Sequence, residues 1–333
     1  MLRLSVFALA ASAVGALCAC EDVAETPCSA NDECASGQSC VDGGSAGAEG
    51  EGEGAEGEGE GEGEEGEGEG EGEGEEGEGE VEGCRDDGDA SLSPRELPLA
   101  FDIPLRNIEA VSADEDLAVD VVGVDVDGVL HWDFSAALPD DAPVQVVAEP
   151  IDESRHWFDD EIESPELEAG DVVYASLLDA ATWGVFERTA DGLFILAVAS
   201  DVSDDDEPFG YTFISYDPPI LAMKYPLTDG ESFDSVSQGS GTFEGSFYSS
   251  TDTYESTVAG RGIVTTPAGD FPVWRVQTRQ EVAINFTVFS VEHRQVLFVT
   301  ACTGVVASVT SAADAPDFEF TEAQRVRRVG LSE

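Results

Sequence analysis

The sequence predicts an antiparallel all-β domain over residues 84–333. Three observations lead there. After Cys84 the chain is rich in Val, Phe and Thr. No long stretch repeats apolar residues at helical spacing. Short apolar or alternating runs are instead bounded, at close intervals, by Gly, Pro, Asp and Ser. Many short strands joined by tight turns build a curved antiparallel sheet, either barrel-like or a two-sheet sandwich.

The first strand candidates are Leu117–Val124, Val129–Phe134, Val144–Ala148, Val172–Leu178, Trp183–Arg188 and Leu193–Ser200. Asp127-Gly128 and Asp191-Gly192 are hairpin signals, because Asp and Gly tolerate the positive φ of a type I′ turn. Further on come Tyr211–Tyr216, Thr242–Tyr248, Tyr254–Thr265, Val273–Val282, Ile284–His293, Val296–Cys302, Val305–Thr310 and Phe318–Arg328. Asp217-Pro218-Pro219 reads as a seam between two halves. Short helices fit only near Ser154–Glu161 and Pro165–Ala169.

The N-terminus reads as an address. Arg3 supplies a positive start, and Leu4–Leu17 is apolar for 14 residues, too short for a membrane-spanning helix. Leu17-Cys18-Ala19-Cys20 resembles the bacterial lipobox. That resemblance implies a signal peptide over 1–19, with Cys20 becoming a lipidated N-terminus. Ordinary cleavage after Ala19, leaving Cys20 a free thiol, is the alternative. The expected destination is the outer membrane or surface of a bacterial cell, with the lipid as membrane partner.

Residues 20–48 carry Cys28, Cys34 and Cys40 among Ser, Asn, Asp and Gly. So little apolar material needs a covalent staple for order, and export permits disulfides. Cys84 is the nearest fourth cysteine, so Cys28, Cys34, Cys40 and Cys84 are the candidate bridge residues. Cys302 sits in a strand-like run and reads either as a small buried hydrophobe or as the partner of Cys84. The spacing is similar to small Cys-rich modules near the N-termini of bacterial surface lipoproteins.

Residues 49–83 are Glu and Gly apart from Ala55 and Val81, with 18 Glu and no basic residue. Such a tract has nothing to bury and reads as a disordered, low-complexity, solvated spacer. A free coil of this length would span about 30–35 Å. Were Cys84 bonded to Cys28, Cys34 or Cys40, the tract would instead be a loop closed at its base.

Residues 84–333 hold 48 acidic and 13 basic side chains. That balance excludes a nucleic-acid partner, which needs a basic footprint. It suits a saline habitat, where salt screens self-repulsion, as well as an ordinary acidic protein.

Signals for chemistry are sparse. His131, His156 and His293 have no metal-ligand spacing and read as surface or sheet-edge residues. Gly239-Ser240-Gly241 lacks the first Gly of a nucleophile elbow and reads as a polar turn. Residues Arg85–Glu96 resemble a degenerate EF-hand loop, with Asp87, Asp89 and Glu96 as the calcium candidates. Arg85 and Ala90 replace its first acid and its turn glycine. Asp125-Val126-Asp127-Gly128 reads as a turn, and the acidic run from Asp201 to Glu207 as a solvated loop. Trp132, Trp157, Trp183 and Trp274 read as core, or alternatively as pocket walls. Arg325, Arg327 and Arg328 are the one basic cluster, paired with the acidic sheet or open to an acidic partner.

The segment around Tyr225-Pro226-Leu227, Gly230-Glu231-Ser232-Phe233 and Thr266-Pro267-Ala268-Gly269-Asp270-Phe271 resembles exported bacterial β-domains. In those a Pro-Ala-Gly-x-Phe turn links strands of a curved sheet, and lipid-shuttling half-barrels are among them. The resemblance implies architecture rather than activity.

The sequence thus predicts a lipid-anchored, non-catalytic binding or structural domain without cofactor. The alternatives are a carrier of a lipid or apolar ligand, or an enzyme with an unrecognised site. The acidic surface generates the first test. Thermal unfolding is expected to shift upward between low salt and about 1 M NaCl, where the screening length falls to about 3 Å. An unchanged melting temperature would leave the acidic protein without a salt preference.

Overall fold

A computed structural model describes residues 84, 88–97, 99, 101, 105–151, 156–162, 171–178, 181–202 and 210–330. The described residues are all-β, as expected. The first strands are β1 (Ser91–Leu92), β2 (Leu105–Val111), β3 (Leu117–Ala118), β4 (Val124–Val126), β5 (Val129–Asp133), β6 (Ala142–Val146) and β7 (Ala148–Pro150). There follow β8 (Val172–Leu177), β9 (Thr182–Arg188), β10 (Gly192–Ser200), β11 (Phe213–Lys224) and β12 (Leu227–Thr228). The long strands close the series: β13 (Ser232–Phe243), β14 (Ser246–Thr266), β15 (Gly269–Ile284), β16 (Ser290–Thr300), β17 (Gly304–Ser311) and β18 (Glu322–Val329).

Thirteen of these strands lie side by side in the order β6-β2-β18-β17-β16-β15-β14-β13-β11-β10-β9-β8-β7. Each neighbouring pair in that row is antiparallel. The two end strands, β6 and β7, are consecutive in the chain and separated only by Val147. One stretch of backbone therefore starts on β2 and finishes on β8, and the sheet becomes a nearly closed barrel.

Alternation assigns the faces. Along β14, Tyr248, Ser250, Asp252, Tyr254, Ser256 and Val258 are buried at every second position and face inward. The outer face of β16–β18 is also covered. Val296, Phe298, Val309 and Val326 pack there with Leu117, Trp132, Phe134 and Phe320, from segments lying outside the barrel wall. A second cover places Phe158 against Ala175, Trp183 and Val185. Because both faces are buried, β18 is buried continuously from Ala323 to Val329, and its sequence loses the two-residue period.

Turn chemistry accounts for the hairpins. Asp127 and Gly128 have φ of 54° and 86° between Val126 and Val129, which pair, as a type I′ turn requires. Pro267-Ala268 joins β14 to β15, with Thr266 opposite Gly269. The Asp191-Gly192 signal also marks a hairpin, but its turn spans 189–192, between the paired residues Arg188 and Leu193.

Several expectations are corrected. Asp217-Pro218-Pro219 is not a seam; it lies inside β11, where the register to β10 shifts and a missing N–H is tolerated. Residues 242–248 are not one strand: Glu244 and Gly245, both at positive φ, turn the chain between β13 and β14. Leu117–Val124 shrinks to the two residues of β3, followed by an irregular run to β4. Among the described residues of Ser154–Glu161, one turn of 3-10 helix forms, Asp159–Glu161, and Pro165–Ala169 lies outside the described residues. Strands β2 and β13 were not expected.

The Arg325–Arg328 cluster is buried, which rules out the docking patch. Arg328, 0% exposed, donates Nη1 to Asp141 Oδ1 at 2.9 Å and Nη2 to Asp141 Oδ2 at 2.6 Å. It also donates to the Ala136 carbonyl at 3.0 Å. This fork ties the 136–141 segment to the barrel wall. Asp141→Ala would leave a buried guanidinium without its carboxylate, so a loss of about 3–5 kcal/mol is expected in denaturant unfolding. Glu231→Ala, which breaks the half-buried pair with Lys224 at the barrel surface, should cost about 1 kcal/mol or less.

Candidate functional site

The barrel encloses more space than its side chains fill. A cavity of about 450 Å³ opens between the β17–β18–β2–β6 wall and the β8–β11 wall. Leu105, Val146, Tyr174, Phe186, Leu193, Met223, Tyr225, Leu297 and Val299 give it an apolar lining. The polar lining residues are Asn107, Ser176, Arg188, Thr303, Ser308 and Arg327. Burial pushes Tyr225 up to about 12, and Tyr174 further still, with the nearby Arg188 opposing both shifts. Both phenols stay neutral across the physiological range.

A strap crosses one end of the barrel. Its described residues run from Ser91 towards Phe101, and Leu97 and Leu99 contribute to the cavity lining. Ser91 and Leu92 pair with Thr228 and Leu227. Leu92 and Leu97 pack with Leu227, Phe233 and Trp274. Pro94–Glu96 forms a 3-10 turn, stabilised because Glu96 accepts from Ser93 N and Oγ, both at 2.8 Å. Arg188 reaches up from β9 and donates to the Leu97 carbonyl at 2.8 Å and the Pro94 carbonyl at 3.3 Å. The Cys302 amide donates to the Glu96 carbonyl at 2.7 Å. A Cys84–Cys302 disulfide, with Cα atoms 5.3 Å apart, completes the attachment.

On the opposite wall a charged group backs the cavity. Arg327 donates Nε and Nη2 to Glu109 Oε1 at 3.1 and 2.8 Å, and Nη2 also reaches the Leu178 carbonyl. Arg325 Nε lies 3.4 Å from the same Glu109 oxygen.

A second buried polar group lies elsewhere on the inner face. Asp252 is 0% exposed and pairs in register with Ser237. Neither of its oxygens meets a donor in good geometry. Burial pushes its carboxyl up to about 6, partly opposed by the Ser250 hydroxyl; burial also raises Tyr216, Tyr248 and Tyr254, and the Asp252 charge adds to each. Gly239, opposite Ser250, keeps the space open: a Cβ there would sit 2.5 Å from the Ser250 hydroxyl.

The other sequence candidates are dispersed. Cys20, Cys28, Cys34, Cys40 and Asp87 lie outside the described residues. Cys84 bonds Cys302, so the pairing of Cys84 with Cys28, Cys34 or Cys40 is not the one formed, and Cys302 is not a free buried thiol. Asp89 accepts from Ser91 N and Oγ, while Glu96 caps its own turn. Among the described residues no group of three or more His, Cys, Asp or Glu converges as a metal site.

His156 and His293 are buried rather than at the surface. His156 stands edge-on to Trp183 at 4.9 Å, and burial lowers the pKa of His293. His131 is half-buried on β5. Ser240 lies within β13 and is exposed, not in a turn. The four tryptophans are packing residues, none lining the cavity. Asp125 caps the Gly128 amide at 2.8 Å, and Asp201 accepts from Trp183 at 3.1 Å; residues 203–207 are outside the described set. The cavity residues themselves carry no motif. Arg188 and Arg327 are recognisable only once the strands are placed.

Two outcomes follow. Cys302→Ser should lower stability by about 5 kcal/mol on the chain-entropy account of so long a loop. Hydrogen exchange should quicken most in residues 91–97. For Asp252, a raised folded pKa means the carboxyl binds a proton more tightly when folded. Its contribution to stability is therefore greatest below about pH 4 and falls as pH rises through about 6, by about 3 kcal/mol in all. Asp252→Asn should raise the melting temperature at pH 8 and flatten this part of the pH profile.

No protein family and no curated protein matches the sequence. Among solved structures, the chain is similar to one from Bacteroides fragilis described as a "putative exported protein with YmcC-like fold". The identity is 11%, over 69% of this chain and 96% of the other, at a TM-score of 0.31.

Proposed function

We propose that the chain is an exported, lipid-anchored binding protein whose β-domain carries a small apolar ligand inside the barrel. The single observation behind this reading is the apolar cavity of about 450 Å³, within the range of about 300–1,000 Å³ typical of ligand sites. A structural β-domain has no use for such a void, because unfilled volume costs stability. The lipobox-like Leu17-Cys18-Ala19-Cys20 supports anchorage through Cys20, with residues 49–83 as tether. No helix among the described residues is long and apolar enough to cross a membrane.

Ala222 faces the cavity from β11. The native chain should bind an environment-sensitive apolar fluorophore with one-site stoichiometry. Ala222→Phe should weaken that binding at least tenfold while circular dichroism stays unchanged. A native chain that neither binds the fluorophore nor copurifies with extractable lipid would return the domain to a structural role. Mass spectrometry of the mature N-terminus tests anchorage: a diacylglyceryl-sized addition on Cys20 is expected, and an unmodified thiol would refute it.

A further inference from the structure

The cavity wall has a charge character opposite to that of the domain. Residues 84–333 carry 48 acidic side chains against 13 basic ones, yet no Asp or Glu is among the described residues lining the cavity. Its two charged lining residues are both cations, Arg188 and Arg327. They do different work. Arg188 spends its guanidinium on two strap carbonyls. Arg327 lies on the barrel wall itself, and its acid partner, Glu109 Oε1, is shared with Arg325.

Of the neutral polar lining residues, Asn107, Ser176 and Ser308 lie on the Arg327 side, while Thr303 adjoins Cys302 near the strap. Ser308 is the direct partner of Arg327 across β17 and β18. Asn107 sits two residues from Glu109, the partner of Arg327 across β18 and β2. Arg327 also reaches the Leu178 carbonyl, at the end of the β8 wall that supplies Ser176. Toward the strap the lining turns apolar, with Leu97, Leu99, Met223 and Tyr225. The site is thus polarised: Arg327 lies with the Ser308 and Ser176 hydroxyls and the Asn107 amide, which also donates to the Leu105 carbonyl at 3.1 Å, at one side, and the other is mainly hydrocarbon, its Arg188 committed to the strap carbonyls. At about 30 Å³ per water-sized group, its volume accepts roughly fifteen heavy atoms.

Resting on the reading of this cavity as the ligand site, we infer that the ligand is a single-chain amphiphile with an anionic head. The head, a carboxylate or phosphate monoester, meets Arg327, Ser308 and Asn107, and the chain runs toward Leu97 and Leu99. A guanidinium in a dry wall favours an anion through charge-assisted hydrogen bonds. It disfavours a cationic head, and it leaves a neutral head without its strongest contact.

The test compares tetradecanoate, tetradecyl phosphate, tetradecanol and tetradecylamine by calorimetric titration. It uses the full chain carrying Cys20→Ser, so that no lipid of its own competes. At least one of the two anions should bind ten-fold or more tighter than tetradecanol, and the better anion identifies the head. Tetradecylamine should bind weakest. Arg327→Gln should weaken the preferred anion at least tenfold and so erase its advantage over tetradecanol. Ser308→Asp, which sets a carboxylate against Arg327, should do the same and serves where Arg327→Gln fails to fold. Equal binding of acid, alcohol and amine would overturn the inference and leave the carrier reading standing. Absence of binding by all four would overturn both.

Discussion

The structure depends on one geometric constraint. A sheet of thirteen neighbouring strands, bent until its end strands share a single stretch of backbone, encloses a wide interior. Barrels of about eight strands are just filled by their own side chains, and wider ones leave room. Here large inward residues such as Tyr174, Phe186, Tyr216 and Tyr254 occupy much of that room. What they leave is the cavity. Along the outer wall a second constraint operates, because the apolar outer faces of β16–β18 need cover. The chain supplies it from its own excursions, pinned by Arg328 on Asp141.

This double burial decides how much of the fold the sequence discloses. Strands with one wet face, or with a turn signal at each end, are legible: Val129–Phe134 and Trp183–Arg188 appear nearly as read. Strand β13 is not, because its inward residues include Ser235, Ser237, Gly239 and Gly241, small groups that make space for the neighbouring tyrosines rather than a hydrophobic stripe. The Glu244-Gly245 turn hides for a related reason: Phe243, Phe247 and Tyr248 surround it with strand-like residues. Arg325, Arg327 and Arg328 looked like a surface cluster since charge is normally solvated. In a strand buried on both faces, Arg325 and Arg327 turn inward and Arg328 turns outward, each meeting carboxylates far away in sequence.

The cavity was beyond reach for a different reason. Its described wall is assembled from ten strands and from the strap, and each strand contributes one to three ordinary residues. No spacing connects Arg188 with Leu97, 91 residues away. Nor does any connect Arg327 with Glu109, 218 residues away. Only the register of the strands brings them together. The disulfide belongs to the same class. Cys84 looked nearest to Cys40 because sequence distance was the only distance available. In the fold it lies against Cys302, at the turn where the strap passes.

The strap and the barrel wall differ in how they resist opening. The long wall strands are held by extended ladders, twelve register pairs long between β13 and β14, so parting the wall there means losing many hydrogen bonds together. Among its described residues the strap has a two-residue ladder to β12, an isolated bridge from Phe101 to Ala148, two bonds from Arg188, one from the Cys302 amide and a single covalent bond. Its apolar grip, through Leu92 and Leu97, is buried but local. Access to the interior therefore costs least past the strap. There Arg188 acts on both sides: it lines the cavity and holds the residues that cover it.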